Sequence, residues 1–240
     1  MQDQGSKVAQ EYIVKEKKKQ ELVAFDFDGT IIKGQSGVQL LFYLFGKRLF
    51  KPLCFLRILW WSIRYKLRLP ISQTEVREDI FSLFAQDNIK AIELMMQDLY
   101  GQRISHRFKK DALRCIEEHR AQGRHLLIVS ASFNFLIEPA MQELKFDGLI
   151  ATKMKVAPDK EHYLNKVEGV PVEGEEKLRA LKAYADKHFG EGMWELYAAY
   201  GDHYSDKNML SLASHPCAVC PDWALQRMAK KEGWRMEEWS

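Results

Sequence analysis

The stretch LVAFDFDGTII, residues 22–32, decides how the chain is read. Its first half is apolar and β-prone, and it breaks at Asp28-Gly29-Thr30, a turn-forming run. The pattern predicts a buried strand over residues 22–27 that carries two carboxylates, Asp26 and Asp28, to its C-terminal end. Two unit charges 4 Å apart interact by about 4 kcal/mol at an effective dielectric near 20. The pair is therefore unfavourable unless other charges compensate it.

Outward from this strand, residues 37–119 show apolar residues at helical spacing throughout, with Gly123 as a C-cap. IKAIELMMQDLYGQRI, residues 89–104, reads as one helix of that series. HLLIVSAS, residues 125–132, is a second buried strand, followed by a helix over FNFLIEPAMQELKF. Short strand candidates follow at GLIATKMKV (148–156) and HYLNKVEGV (162–170), then a helix over 174–189. ELYAAYGD (195–202) is a third core strand, followed by a helix at SDKNMLSLA, a short strand at PCAVC and a final helix at 222–233. Strands alternating with helices predict an α/β fold, a parallel sheet with helices on both faces. Ligands bind such sheets at the C-terminal ends of the strands. The polar groups expected there are Asp26, Asp28, Ser130, Ser132, Asp202 and Asp206, with Ser205 or Asp202 capping the helix that GDHYSD opens.

At 240 residues, 46% hydrophobic and 29% charged, the chain suits one large domain or a core with an insert. The net charge of +3 does not point to nucleic acid. Charge is uneven, however. Residues 29–74 contain no Asp or Glu and carry Lys33, Lys47, Arg48, Lys51, Arg57, Arg64, Lys66 and Arg68, so an anionic partner fits that region. The four cysteines, Cys54, Cys115, Cys217 and Cys220, are too scattered for a disulfide framework and suit reduced thiols in a cytoplasmic protein. The CAVC spacing has no second cysteine pair to complete a zinc site, and Ala-Val suits a strand. Residues 1–21 have no signal-like apolar core and read as a charged lead-in. The apolar run at 37–63 is interrupted by basic residues and Pro52, and falls short of the roughly 20 apolar residues a spanning helix needs.

The order D-x-D-G-T (Asp26, Asp28), then Ser130, then Lys177, then G-D-x-x-x-D (Asp202, Asp206) resembles the haloacid dehalogenase superfamily of phosphatases and phosphotransferases, in its phosphoserine-phosphatase-like branch. The resemblance covers residues 22 to about 222. It implies a Rossmann-like, doubly wound core formed by residues 1–33 and 108–240, with a helical cap at 34–107 inserted between the first two motifs.

The resemblance also implies the chemistry. Asp26 would be the nucleophile that forms an aspartyl-phosphate and a ligand of Mg²⁺. Asp28 would give its backbone carbonyl to the metal and act as general acid and then base. Asp202 would be the other carboxylate ligand, with Asp206 behind it orienting the metal's water shell or Lys177. Ser130 and backbone N–H groups near Gly29, Thr30 and Ala131 would bind the phosphate, and Lys177 would balance charge. Lys182 on the same helix and Lys166 upstream are the competing lysines.

Three departures bear on specificity. Where phosphoserine phosphatases place a substrate-binding Glu nine residues after the nucleophile, this chain has Gln35. The usual Gly-Gly after the second-motif Ser is Ala131-Ser132, and His203 stands where Ser or Gly is common. The cap's aromatics, Phe42, Tyr43, Phe45, Phe50, Phe55, Trp60, Trp61 and Tyr65, read either as its own core or as a basic aromatic surface for an anionic bilayer or an acyl chain. Three functions are thus open: a cytoplasmic Mg²⁺-dependent phosphatase of a small metabolite, a phosphatase of lipid phosphates such as phosphatidylglycerol phosphate at the membrane's inner face, and a binding protein without turnover. Phosphoryl transfer to an acceptor other than water also fits the motifs, and oligomeric state is not legible.

Overall fold

The computed structural model of the chain describes residues 19–48, 78, 81, 82 and 88–240. The charged lead-in up to Lys18, Cys54, and the aromatics from Phe50 to Tyr65 lie outside the described residues.

The first motif's strand, β1 (Gln20–Phe25), lies inside a six-stranded sheet. Its sheet partners are β2 (His125–Phe133), β3 (Gly148–Thr152), β6 (Trp194–Gly201), β7 (His215–Val219) and β8 (Arg235–Glu237). The order is β3-β2-β1-β6-β7-β8, and every neighbouring pair is parallel. The chain winds from β1 outward through β2 and β3, then returns to β1's other side as β6. That reversal opens a crevice between the C-terminal ends of β1 and β6.

Both faces of β1 are covered, which is why it reads as an unbroken apolar run. Leu22 and Ala24 point into one core with Leu181 and Ala185 of α5 (Glu175–Phe189), Leu210 of α6 (Lys207–Leu212) and Leu225 of α7 (Trp223–Glu232). Val23 and Phe25 point into the other, with Ile116 of α3 (Lys110–Ala121) and Leu136 and Ile137 of α4 (Asn134–Glu143). Phe25 stacks on Tyr200 with ring centroids 4.6 Å apart. The second core continues into α1 (Ser36–Gly46) through Leu40 and Leu44, and into α2 (Ile89–Leu99) through Ile92 and Met96.

The helix expected over 89–104 is α-helical only to Leu99. A π-helical turn, Tyr100–Ile104, and a 3₁₀ turn, Ser105–Arg107, follow it. The segment 148–156 divides at Lys153: β3 stays in the sheet, while β4 (Met154–Val156) pairs antiparallel with β5 (Tyr163–Val167) in a separate two-stranded sheet. β2 ends at Phe133, whose partner in β3 is Thr152, so the ladder goes no further along the segment. β8 has no counterpart among the expected strands, because its three residues are mostly exposed and carry no apolar run. No described helix is long and apolar enough to cross a membrane.

Candidate active site

Asp26 follows β1 directly, and its N–H donates to the carbonyl of Tyr200, 2.9 Å away on β6. The last rung of the sheet thus places the carboxylate in the crevice, 6% exposed. The chain then turns through Gly29, at φ +78, where a Cβ would lie 1.9 Å from Asp202 Oδ2. Only glycine permits both that backbone and that approach. Gly29's N–H closes the loop onto Gly34 O at 3.0 Å, and its carbonyl accepts from the buried ammonium of Lys109 at 2.5 Å.

Lys177 is on the first turn of α5 and is 2% exposed. Its Nζ lies 2.5 Å from Asp26 Oδ1 and 2.6 Å from Asp206 Oδ1. The competing Lys166 and Lys182 are exposed. Asp206 is fully buried and ends a short 3₁₀ turn, Tyr204–Asp206. Neither Ser205 nor Asp202 caps that turn. His203 does, its side chain accepting from Ser205 N–H while Asp206 reaches back to the His203 N–H, a reciprocal capping box. The sequence hid this because His is an uncommon cap. A Cβ on Gly201 would meet Asp206 Oδ2 at 2.6 Å, so this glycine too makes room for a carboxylate.

Asp26, Asp202 and Asp206 each offer an oxygen, and the three lie within 4.8 Å of one another. Among the described residues, one ammonium, Lys177, pairs with this group of three carboxylates. Burial drives the Asp26 carboxyl well above its usual range, with Lys177 pulling it back and Asp206 and Asp202 adding to the rise. Asp202 is pushed up to about 7 by burial and by Asp206. For Lys177 burial works against the charged form, but Asp206 and Asp26 outweigh it and raise its affinity for a proton. The excess negative charge and the all-oxygen donor set suit a hard divalent cation such as Mg²⁺.

Asp28 is held differently. Its Oδ1 accepts from Ser36 N–H at 2.5 Å, and its Oδ2 accepts from Ser132 Oγ at 2.6 Å and Ser36 Oγ at 2.9 Å. Burial raises its proton affinity, and the Ser132 and Ser36 hydrogen bonds moderate the rise. Ser130, 1% exposed, ends the regular part of β2 and receives the Ser132 N–H on its hydroxyl at 3.2 Å.

Asp26, Asp28, Ser130, Ala131, Lys177, Asp202 and Asp206 line one cavity of about 560 Å³, together with Gln35, Leu40, Ser132, Phe133, Leu136, Glu173 and His203. Gly29 and Thr30 are not among its lining residues. Gly29's N–H is spent on Gly34, and Thr30 is fully buried. Sequence reasoning passed over Ser36, Lys109 and Glu173. Ser36 and Lys109 act on Asp28 and Gly29 from 8 and 80 residues away, contacts with no local signature. The CAVC pair divides, Cys217 buried in β7 and Cys220 just beyond it, its thiol 3.3 Å from Lys109 Nζ.

A sequence profile described as haloacid dehalogenase-like hydrolase matches residues 23–211. Among curated proteins, the chain is 32% identical over 147 residues to an "Inhibition of morphological differentiation protein" of Streptomyces azureus, covering 61% of this chain and 52% of that one. It is 28% identical over 121 residues to a histidinol-phosphatase of Neisseria meningitidis serogroup C, covering 50% and 54%. The chain thus spans about half the length of these curated relatives. Among solved structures, a protein of unknown function from Bordetella pertussis Tohama I superposes with a TM-score of 0.83 at 22% identity, over 92% of this chain and 99% of that one. At that identity the likeness concerns the fold.

Proposed function

Because the chain belongs to the haloacid dehalogenase-like hydrolase family, we propose that it hydrolyses phosphate monoesters of small metabolites with Asp26 as nucleophile. The observation that carries this reading is Lys177, buried between Asp26 and Asp206, with Asp202 completing a carboxylate cluster at the β1–β6 crevice. A lysine between two acids opposes the rise in proton affinity that burial imposes on Asp26 and orients its carboxyl, and attack on phosphorus needs that orientation.

The side chains of Asp26 and Asp202 and the backbone carbonyl of Asp28 would hold Mg²⁺, with Asp206 behind them. When bound, the ion supplies the positive charge that lets an anionic substrate approach these acids. In the first step an Asp26 oxygen bonds to phosphorus, the bond to the alcohol oxygen breaks, and Asp28 delivers a proton to that oxygen. In the second, water attacks the aspartyl-phosphate, Asp28 takes its proton, and Asp26 returns with inorganic phosphate released. Ser130 and the neighbouring backbone at Ala131 would bind phosphoryl oxygens, and Lys177 would offset their charge.

The core of this reading comprises residues 1–33 and 108–240, and the cap comprises 34–107. Backbone pairing of Lys33 with Arg107 and of Lys109 with Ile31 supports that division, since the two connections run side by side. Among the described residues, the cap's share of the cavity wall is Gln35, Gly37 and Leu40, which bear no acid, and this disfavours phosphoserine as the substrate. The Neisseria relative's name makes an amino-alcohol phosphate one member of the test panel.

A lipid-phosphate substrate is the second reading. It draws on α1, which exposes Val38, Phe42 and Phe45 beside Lys47 and Arg48. Phosphate release from soluble monoesters and from lipid phosphates in micelles, with and without Mg²⁺, tests both. The proposal expects Mg²⁺-dependent release that Asp26→Asn abolishes; release that survives Asp26→Asn overturns the nucleophile. Failure to co-sediment with anionic vesicles at low salt removes the lipid reading.

A further inference from the structure

Asp28 is gripped by two serines from distant parts of the chain. Ser36 is the first residue of α1 and Ser132 lies on the irregular end of β2, so one comes from the insert and the other from the core. Both hydroxyls reach the same oxygen, Asp28 Oδ2, and stand 2.9 Å from each other; the Ser36 N–H fixes the other oxygen. Ser36 is fully buried, which gives its hydroxyl no water to turn to. Its N–H is one of the unpaired donors at the start of α1, and Gln35 supplies no side-chain cap. Asp28 therefore caps the insert's first helix while it faces the cavity.

We infer that Ser36 and Ser132 are positioning residues that hold the Asp28 carboxyl at the leaving-group oxygen and tie that placement to the seating of α1. The inference rests on the phosphatase reading. Its basis is the three-donor grip itself, together with a residue, Ser132, whose hydroxyl a glycine could not supply. A serine hydroxyl both donates and accepts, so the pair can hold the carboxyl in one place before and after it gives its proton to the departing alcohol. A proton-transferring group must sit within hydrogen-bond reach of its target, and loss of such placement costs rate without loss of substrate binding. The effect must therefore depend on whether the leaving group needs a proton.

Two substrates of nearly equal shape separate the possibilities. p-Nitrophenolate departs without protonation, whereas the alkoxide from p-nitrobenzyl phosphate does not. The wild type and the Asp28→Asn, Ser132→Ala, Ser132→Thr and Ser36→Ala variants are assayed on both with Mg²⁺. Asp28→Asn sets the largest difference between the substrates. Ser132→Ala and Ser36→Ala are expected to lose about tenfold in kcat on the benzyl ester and at most about threefold on the phenyl ester, with KM little changed. Ser132→Thr, which keeps the hydroxyl, restores the benzyl rate. In the Asp28→Asn background Ser132→Ala adds no further difference, because the group it positions is gone. Equal losses on both esters, or none on the benzyl ester, overturn the inference and leave the phosphatase reading intact. No turnover of either ester by the wild type counts instead against the phosphatase reading, and the inference falls with it.

Discussion

Asp202→Asn in metal-free protein tests the charge balance of the site, because among the described residues only Lys177, which bridges Asp26 and Asp206, offsets the Asp202 charge. Its carboxyl is raised from the usual 3.8 to about 7, first by burial and then by Asp206. Each tenfold change in proton affinity is worth about 1.4 kcal/mol, so the full difference amounts to roughly 4 kcal/mol. Solvent screening at a side chain that is not fully buried reduces this to about 3 kcal/mol. The sign follows from which state holds the proton. Between pH 3.8 and 7 the folded protein binds it more tightly, so Asp202 favours folding below that window and loses this contribution as pH rises through it. Urea unfolding in EDTA should therefore find Asp202→Asn more stable than wild type by about 3 kcal/mol at pH 8, with the gap closing towards pH 4. Added Mg²⁺ should stabilise the wild type and not the variant. A variant no more stable than wild type at pH 8, or a gap that persists at pH 4, would refute the reasoning.

Lys177→Met leaves Asp26 and Asp206 buried without their ammonium, and should cost about 3–5 kcal/mol in EDTA at neutral pH; an unchanged urea midpoint would contradict the placement. Gly29→Ala forces a Cβ onto Asp202 Oδ2 in a backbone at φ +78, and should cost more than about 2 kcal/mol while lowering Mg²⁺ affinity by calorimetry. His119 is held down to about 4 by burial, then by Arg124 and Arg235, and its Nε2 lies 2.8 Å from Tyr200 Oη. The unfolded chain takes up that proton first as pH falls, so His119 removes about 3 kcal/mol of stability between pH 6.5 and 4. His119→Gln should flatten that part of the urea profile relative to wild type.

Much of this was legible because strands announce themselves. Asp26, Ser130 and Asp202 each follow or end an apolar β-prone run, and a parallel sheet gathers such ends at one edge. Lys177 was separable from Lys166 and Lys182 in the sequence only through motif order; in three dimensions it is the one of the three that is buried. What stayed hidden depends on contacts without a sequence period. The grip of Ser36 and Ser132 on Asp28 joins residues 8 and 104 positions away. Lys109 reaches Gly29 across 80 positions, and β8 owes its place to pairing with β7 rather than to its own composition. The π turn at Tyr100–Ile104 follows helix-favouring residues and has no local mark either.

The central claim is that Asp26 carries the phosphoryl group between two displacements. Wild-type protein mixed with a turned-over monoester and Mg²⁺ can be quenched in acid during steady state, treated with borohydride and digested. Borohydride reduces an aspartyl-phosphate to homoserine, which marks the modified position by mass. The account predicts homoserine at position 26, dependent on substrate and absent from Asp26→Asn. Turnover with no modification at Asp26, or with the mark on Asp28 or Asp202, would contradict it.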